Sequence, residues 1–446
     1  MSERLIDALV TTPALAAAFG DEAYVGAMVA FECALARAQA RVGVIPASVA
    51  EVIVRVADGA SFDVRELARA ARAHATVALP LVQALTSRVE AVDRTAAAYV
   101  HWGATSQDVI DTALVLCVRR AWASIAADHR RIVEALRRLS DAHAETVMLG
   151  RTLLQPAVPT TFGLKVAGWL GGIARAWQGW LTSYRSLLVV QYGGAAGTLA
   201  ALGPIGLDIE RAVADELNLG VPDAPWHAHR DRVAAFVAAA GVYAGALAKA
   251  ARDITLLMQP EIAEVAERGG ASSSMPQKRN PSGSTIVLAS AQRLPGLVSS
   301  VLAGMVVEHE RSTGGWQAET SAVADAVQAA GSATAALADV LESLTVDASR
   351  MREHLDATRG QLLAERLLAM LAPRVGRTRA AELVKDAIAE SRRSSRSLAE
   401  VVESMPDAIV HLTSHDIEVL AAPERYLGVA EAFRRRLLDR ASAAEE

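Results

Sequence analysis

Residues 109–144 carry little that would interrupt a helix, and the same is true of 160–186, 232–267, 284–307 and a further stretch ending near 344. Uncapped helices of roughly 30 residues do not suit an ordinary globular array and point instead to an elongated bundle. On either side the chain is cut into shorter pieces. Residues 1–108 read as short helices joined by turns. The first of these, 23–42, sets Val25, Met28, Phe31 and Leu35 on one face and stops at Gly43 and Pro46. Further short helices are expected at 63–73 and 79–89. Beyond about residue 346 the helices shorten again, and the Arg/Ser run 391–397 reads as a solvated loop or helix end. The expected fold is therefore all-α. It has a small helical domain at 1–108, a central long-helix bundle at 109–350 and a second small helical domain at 351–446. No strand-rich region or repeat stands out.

Composition agrees with this and narrows function. Hydrophobic residues make up 52% of the chain but aromatics only 4%, so the apolar mass is Ala, Val and Leu, which favours close-packed helices over a β-sandwich. A net charge of −5 over 446 residues, without a basic block, leaves no electrostatic footprint for nucleic acid. Two cysteines, Cys33 and Cys117, can build neither a disulfide framework nor a metal cage, so reduced thiols in the cytoplasm are expected. The first residues lack the apolar core of a signal peptide. The most apolar run, 233–247, is shorter than the roughly 20 residues a bilayer needs, so a buried bundle helix is expected rather than a membrane segment.

The chemistry-bearing residues gather in the loops between the long helices. The stretch 269–281, GGASSSMPQKRNP, holds Ser272, Ser273, Ser274, Lys278 and Asn280 between glycines and two prolines. Glycine permits close approach of a ligand and proline disfavours helix before it, so this is a loop able to aim backbone N–H groups, an ammonium and an amide at an anion. A flexible connector is the plain alternative, but a connector has no need of the Met-Pro-x-Lys-x-Asn order. A second segment, 101–113, opens with His101-Trp102-Gly103 and continues through Thr105, Ser106, Gln107 and Asp108. Thr105 or Ser106 can cap the following helix with Asp108 in its first turn, yet capping alone leaves His101, Trp102 and Gln107 without a task. Free N–H groups beside two hydroxyls and an imidazole suit a carboxylate. A third loop, 150–159, carries Arg151, Thr152 and Gln155, and a fourth, 308–319, carries Arg311 and Trp316. The pair His227 and His229 in 222–232 has no acidic or thiol partner at ligand spacing, so a zinc site is not expected. His74 reads as structural or merely exposed.

Taken together, the serine loop resembles the Gly-Ser-Ser-x-Met-Pro-x-Lys-x-Asn motif of the fumarase/aspartase superfamily, with Ala271 where glycine is expected. The segments HWGATSQD and GRTLLQP are similar to two further superfamily segments, and the resemblance runs through nearly the whole chain. It implies an all-α, three-domain subunit in a homotetramer whose active sites are shared between subunits. It also implies cofactor-free addition and elimination beside a carboxylate, with no metal, on a small polycarboxylate. By the same resemblance Ser272 is the catalytic serine, and Lys278 and Asn280 act with it. His101, Thr105, Ser106 and Gln155 match positions that grip substrate carboxylates, with Arg151, Thr152 and Arg311 as further binding groups.

One departure bears on the reaction. Adenylosuccinate lyases of the superfamily carry histidine where this chain has Leu153. Expelling a nitrogen anion benefits from a general acid, whereas opening a lactone expels a carboxylate, whose conjugate acid has a pKa of roughly 4 and gains little from protonation. Leu153 therefore favours a member that interconverts an open tricarboxylic diene and its lactone. A fumarate-releasing lyase is the alternative, and His101 or His227 could supply an acid from another direction.

Overall fold

The computed structural model describes residues 5–271, 275 and 278–443. Ser272, Ser273 and Ser274 of the serine loop lie outside the described residues. Within them the chain is all-α, as expected: nineteen α-helices accompany only three two-stranded ladders. Six helices matter most here: α1 (Asp21–Arg41), α2 (Ser106–Ala142), α3 (Phe162–Leu187), α4 (Asp231–Leu257), α5 (Ser282–Ala303) and α6 (Gly315–Ser343). α2 runs for 37 residues and α6 for 29, the lengths that the unbroken sequence pattern called for.

Two expectations shift. The helix expected over 232–267 stops at Leu257, because Pro260 disfavours helix before it and Ala263 turns to φ 52°. Val265–Ala266 then pairs with Thr345–Val346 as a short antiparallel ladder. The loops at 150–159 and 269–281 also contain ladders that the sequence reading did not foresee. β1 (Val147–Thr152) pairs with β2 (Gln155–Thr161), and β3 (Gly270–Ala271) pairs with β4 (Arg279–Asn280).

Contacts divide the chain into two units: Met1–Arg130, Ala176–Ala248 and Thr285–Leu337 form the first, and Arg131–Arg175, Lys249–Ser284 and Ala338–Glu446 the second. The division falls inside α2 to α6 rather than between them. In the first unit, one core collects the scarce aromatics. Trp122 stacks on Tyr184 at 4.0 Å between ring centres and on Trp177 at 4.8 Å, with Trp180, Phe236 and Tyr243 edge-on or tilted around them. Such pairs add to area burial and fix the orientation of neighbouring helices. Helices also approach through small residues. A methyl group on Gly331 of α6 would meet Leu15 Cδ1 at 2.6 Å, and one on Gly241 of α4 would meet Val298 of α5 at 3.0 Å. A second core, in the other unit, packs Leu363, Leu367, Leu371, Leu383, Val401 and Val402 from the short C-terminal helices.

The apolar run expected to be too short for a bilayer lies in a 27-residue helix, α4, and α5 has 22; both are long and apolar enough, by length and composition, to cross a membrane. Half of the apolar window of α4 is buried within the protein, with Phe236, Tyr243 and Leu247 fully enclosed. On its other side Ala235, Val242 and Gly245 are exposed, with the charged Lys249 one turn further on.

Candidate active site

In the first unit, the segment before α2 folds around one carboxylate. Helix α2 begins at Ser106, and Asp108, in the first turn as expected, reaches back so that its Oδ2 accepts from the Thr105 N–H at 2.9 Å. The same carboxylate accepts from the Gly193 and Gly194 amides, each at 3.0 Å, and lies 2.6 Å from His227 Nε2. Asp108 is fully buried. Four donors satisfy it, which is what a buried carboxylate needs. Two glycines are required at this junction. Gly103 sits at φ +77° with Leu202 against its α-carbon, and Gly194, at φ +66°, lies over the Gly103 carbonyl.

Gln107, without a task in the capping reading, has one here. Fully buried, it donates from Nε2 to the His227 carbonyl at 3.0 Å and accepts at Oε1 from Arg311 Nε at 3.1 Å. Arg311 also donates to the Gly194 carbonyl at 3.3 Å, so its guanidinium is oriented from two sides. His101 adopts φ 59°, uncommon for a side chain of its size, and its Nδ1 lies 2.6 Å from Glu32 Oε1 on α1. Burial pulls the His101 pKa down, but the Glu32 carboxylate and its hydrogen bond outweigh burial and hold it above its ordinary value. Beneath these residues Arg230, fully buried, forms a bidentate pair with Asp111 at 2.7 and 2.9 Å and a second ion pair with Glu319. Trp316 Nε1 and Gln191 Nε2 also donate to Asp111. That network anchors the loop bearing His227, since Trp226 N–H donates to Gln191 Oε1 at 2.9 Å.

In the second unit, the β1–β2 hairpin turns through just two residues, Leu153 and Leu154, at φ 52° and 62°. They are 97% and 73% exposed. Thr152 and Gln155 face each other at the ends of the strands and are exposed too. Arg151 does not stand free: its two terminal nitrogens donate to both oxygens of the buried Glu264, at 2.9 and 2.6 Å, and His354 Nδ1 lies 2.6 Å from the same carboxylate. Arg151 therefore braces the base of the hairpin. The serine loop is clamped at both ends. Gly270 pairs with Asn280 and its N–H donates to Ser282 Oγ, while Glu267, buried, accepts from the Gly283 and Ser284 amides and the Ser284 hydroxyl. A side chain on Gly269 would collide with the Asn280 carbonyl. Lys278 is exposed and Asn280 half-buried, and the Lys278 N–H donates to the Met275 carbonyl.

Thus His101, Thr105, Ser106 and Arg311 belong to one unit, and Arg151, Thr152, Gln155, Lys278 and Asn280 to the other. Ser272 lies outside the described residues. Sequence reasoning had passed over Glu32, Asp111, Arg230, Glu264 and His354. The available signal was an acid set among apolar residues, as in AFECALA and VIDTALVL.

A family model described as lyase matches residues 8–296, a span that includes the α2 N-terminus, the hairpin and the serine loop. The chain belongs to the fumarase/aspartase superfamily. Among superfamily relatives, the 3-carboxy-cis,cis-muconate cycloisomerase of Bradyrhizobium diazoefficiens is 42% identical, over 98% of this chain and 97% of that one. The nitrosuccinate lyase of Streptomyces davaonensis is 43% identical, over 95% and 91%. The crystal structure of the 3-carboxy-cis,cis-muconate lactonizing enzyme from Pseudomonas putida superposes with a TM-score of 0.93 at 39% identity, covering 99% of this chain and all of that one.

Proposed function

We propose that this chain is a cofactor-free cycloisomerase that interconverts 3-carboxy-cis,cis-muconate and 4-carboxymuconolactone, a step of protocatechuate degradation in the β-ketoadipate pathway. The observation that carries the reading is full-length similarity to cycloisomerases in sequence and in fold, at 42% identity and a TM-score of 0.93. The apolar Leu153 at the hairpin tip fits it, since a carboxylate leaves without a proton donor.

In lactone opening, the Ser272 alkoxide takes a proton from the carbon beside a carboxylate. Charge gathers on that carboxylate as an aci-carboxylate, and the ring C–O bond breaks as the lactone carboxylate leaves. In the reverse direction an internal carboxylate adds to the diene and Ser272 returns the proton. Lys278 and Asn280 hold the oxygens on which charge grows, where binding is strongest in the transition state. His101, Thr105, Ser106, Arg311, Thr152 and Gln155 hold the remaining carboxylates. For Arg151 the pairing with Glu264 supports an indirect part, through the hairpin that presents Thr152 and Gln155.

The working form in this reading is a cytoplasmic homotetramer with sites shared between subunits, each subunit built of domains 1–108, 109–350 and 351–446. The small exposed residues of α4 support it, because Ala235, Val242 and Gly245 suit close approach of another helix. So do two leucines exposed on a braced hairpin.

The 43% identity to a nitrosuccinate lyase favours one second reading, elimination of nitrite from a nitro-substituted succinate. Nitrite too is a weakly basic leaving group, so Leu153 does not separate the two. Ultraviolet assays of purified protein do. Loss of the conjugated diene on adding 3-carboxy-cis,cis-muconate supports the cycloisomerase, and appearance of fumarate from nitrosuccinate with no change in the diene supports the lyase.

A further inference from the structure

Glu32 is an acid in the middle of α1, flanked by Phe31 and Cys33, with a side chain only 1% exposed. A buried carboxylate costs several kcal/mol unless it is paired. Among the described residues its one hydrogen-bond partner is His101 Nδ1, at 2.6 Å. A carboxylate can only accept, so that ring nitrogen carries the proton and Nε2 is left as the outward face of a ring that is 19% exposed. The backbone is committed to this placement, with His101 at φ 59° and Gly103 at φ +77° two residues on.

We propose that Glu32 is a positioning residue: it fixes His101 with Nδ1–H toward the interior and so presents Nε2–H as the anchor for one carboxylate of the substrate. This rests on the reading of the substrate as a polycarboxylate. The raised pKa of His101 agrees with it, because an imidazolium donates from Nε2 whereas a neutral ring with its proton on Nδ1 cannot. Two other groups face this region. Asp108 raises the His101 pKa further, though its own carboxylate is already met by His227 and three amides. Tyr192, whose pKa burial pushes well above its ordinary value, stays neutral.

The test uses the assembled protein and propane-1,2,3-tricarboxylate as a probe, with binding followed by calorimetry between about pH 5.5 and pH 9 in wild type, Glu32→Gln and Glu32→Asp. The glutamine keeps an acceptor for Nδ1–H and removes the charge; the aspartate keeps the charge. In wild type, affinity is expected to fall as pH rises through the His101 pKa. In Glu32→Gln that fall moves to lower pH, so affinity near pH 7.5 drops severalfold, and Glu32→Asp recovers part of it. A purely structural role for Glu32 would lower the melting temperature and leave the pH step in place, which overturns the proposal. So does a wild type without a pH step, or without probe binding. Failure of the diene assay with the Glu32-dependent step intact removes the proposed reaction and leaves the Glu32 assignment standing.

Discussion

The carboxylate of Asp108 lies 2.6 Å from His227 Nε2, and both side chains are buried. Asp108 also takes the N–H groups of Thr105, Gly193 and Gly194, so one side chain joins the α2 N-terminus, the glycine turn and the His227 loop. Asparagine at 108 would offer an amide to a pocket of donors. Asp108→Asn is expected to cost about 1–3 kcal/mol of stability, the usual cost of leaving buried donors without their acceptor. Urea unfolding measures it. A loss below 1 kcal/mol would mean that the three amides and His227 are satisfied without the charge.

Ser272 carries the reaction in the proposed mechanism, and the prediction for it follows from the motif around it. Ser272→Ala is expected to leave the melting temperature and the affinity for a tricarboxylate intact while lowering kcat by roughly 10²–10⁴-fold, the usual contribution of a positioned acid or base. Steady-state kinetics on the diene decide the matter. A kcat within a few-fold of wild type assigns the proton transfer elsewhere.

How much of this could be read from residues alone depended on range. The start of α2 and the place of Asp108 in its first turn were legible, because a helix start is written in local backbone chemistry over three or four residues. Glu32 is 69 residues from His101, and Glu264 lies 113 from Arg151 and 90 from His354. Nothing local links such pairs; they meet only when helices pack. The early end of α4 was present in the sequence as Pro260 but was outweighed by the apolar pattern around it. The ladder of β3 and β4 has only two residues in each strand, too few for any alternation to be read. The motif reading had offered Arg151 to the substrate, and its bidentate tie to Glu264 emerges only in three dimensions.

The hairpin tip makes a sharper test of a shared site. A left-handed leucine costs roughly 1–2 kcal/mol relative to a residue suited to that conformation, and here there are two in succession. Asn-Gly is the natural occupant of a two-residue turn with both φ positive. The double change Leu153→Asn with Leu154→Gly is therefore expected to slow hydrogen exchange across the strands of the hairpin and, at the same time, to lower kcat/KM. Relief of strain with unchanged kinetics would remove the tip from any other protomer's site.

The aromatic core sets the acid limit of stability through His129. The ring is buried, stacks on Trp177 at 4.0 Å between centres, and places Nδ1 3.0 Å from the Tyr243 hydroxyl. Burial first, and the Arg130 charge second, push its pKa down from the ordinary value of 6.5 to about 3. A histidine held neutral in the fold binds its proton more readily in the unfolded chain. Its contribution is thus complete above about pH 6.5 and is lost as pH falls toward 3, at about 1.4 kcal/mol per pH unit. His129→Gln has no proton to take up in this range. Urea unfolding at pH 4, 5, 6, 7 and 8 is expected to show wild type losing stability faster than the variant below about pH 6, with the two curves parallel from pH 7 to 8. Parallel curves over the whole range would show that the ring takes up its proton in the folded protein as easily as in the unfolded chain. The stack on Trp177 would then have to admit an imidazolium.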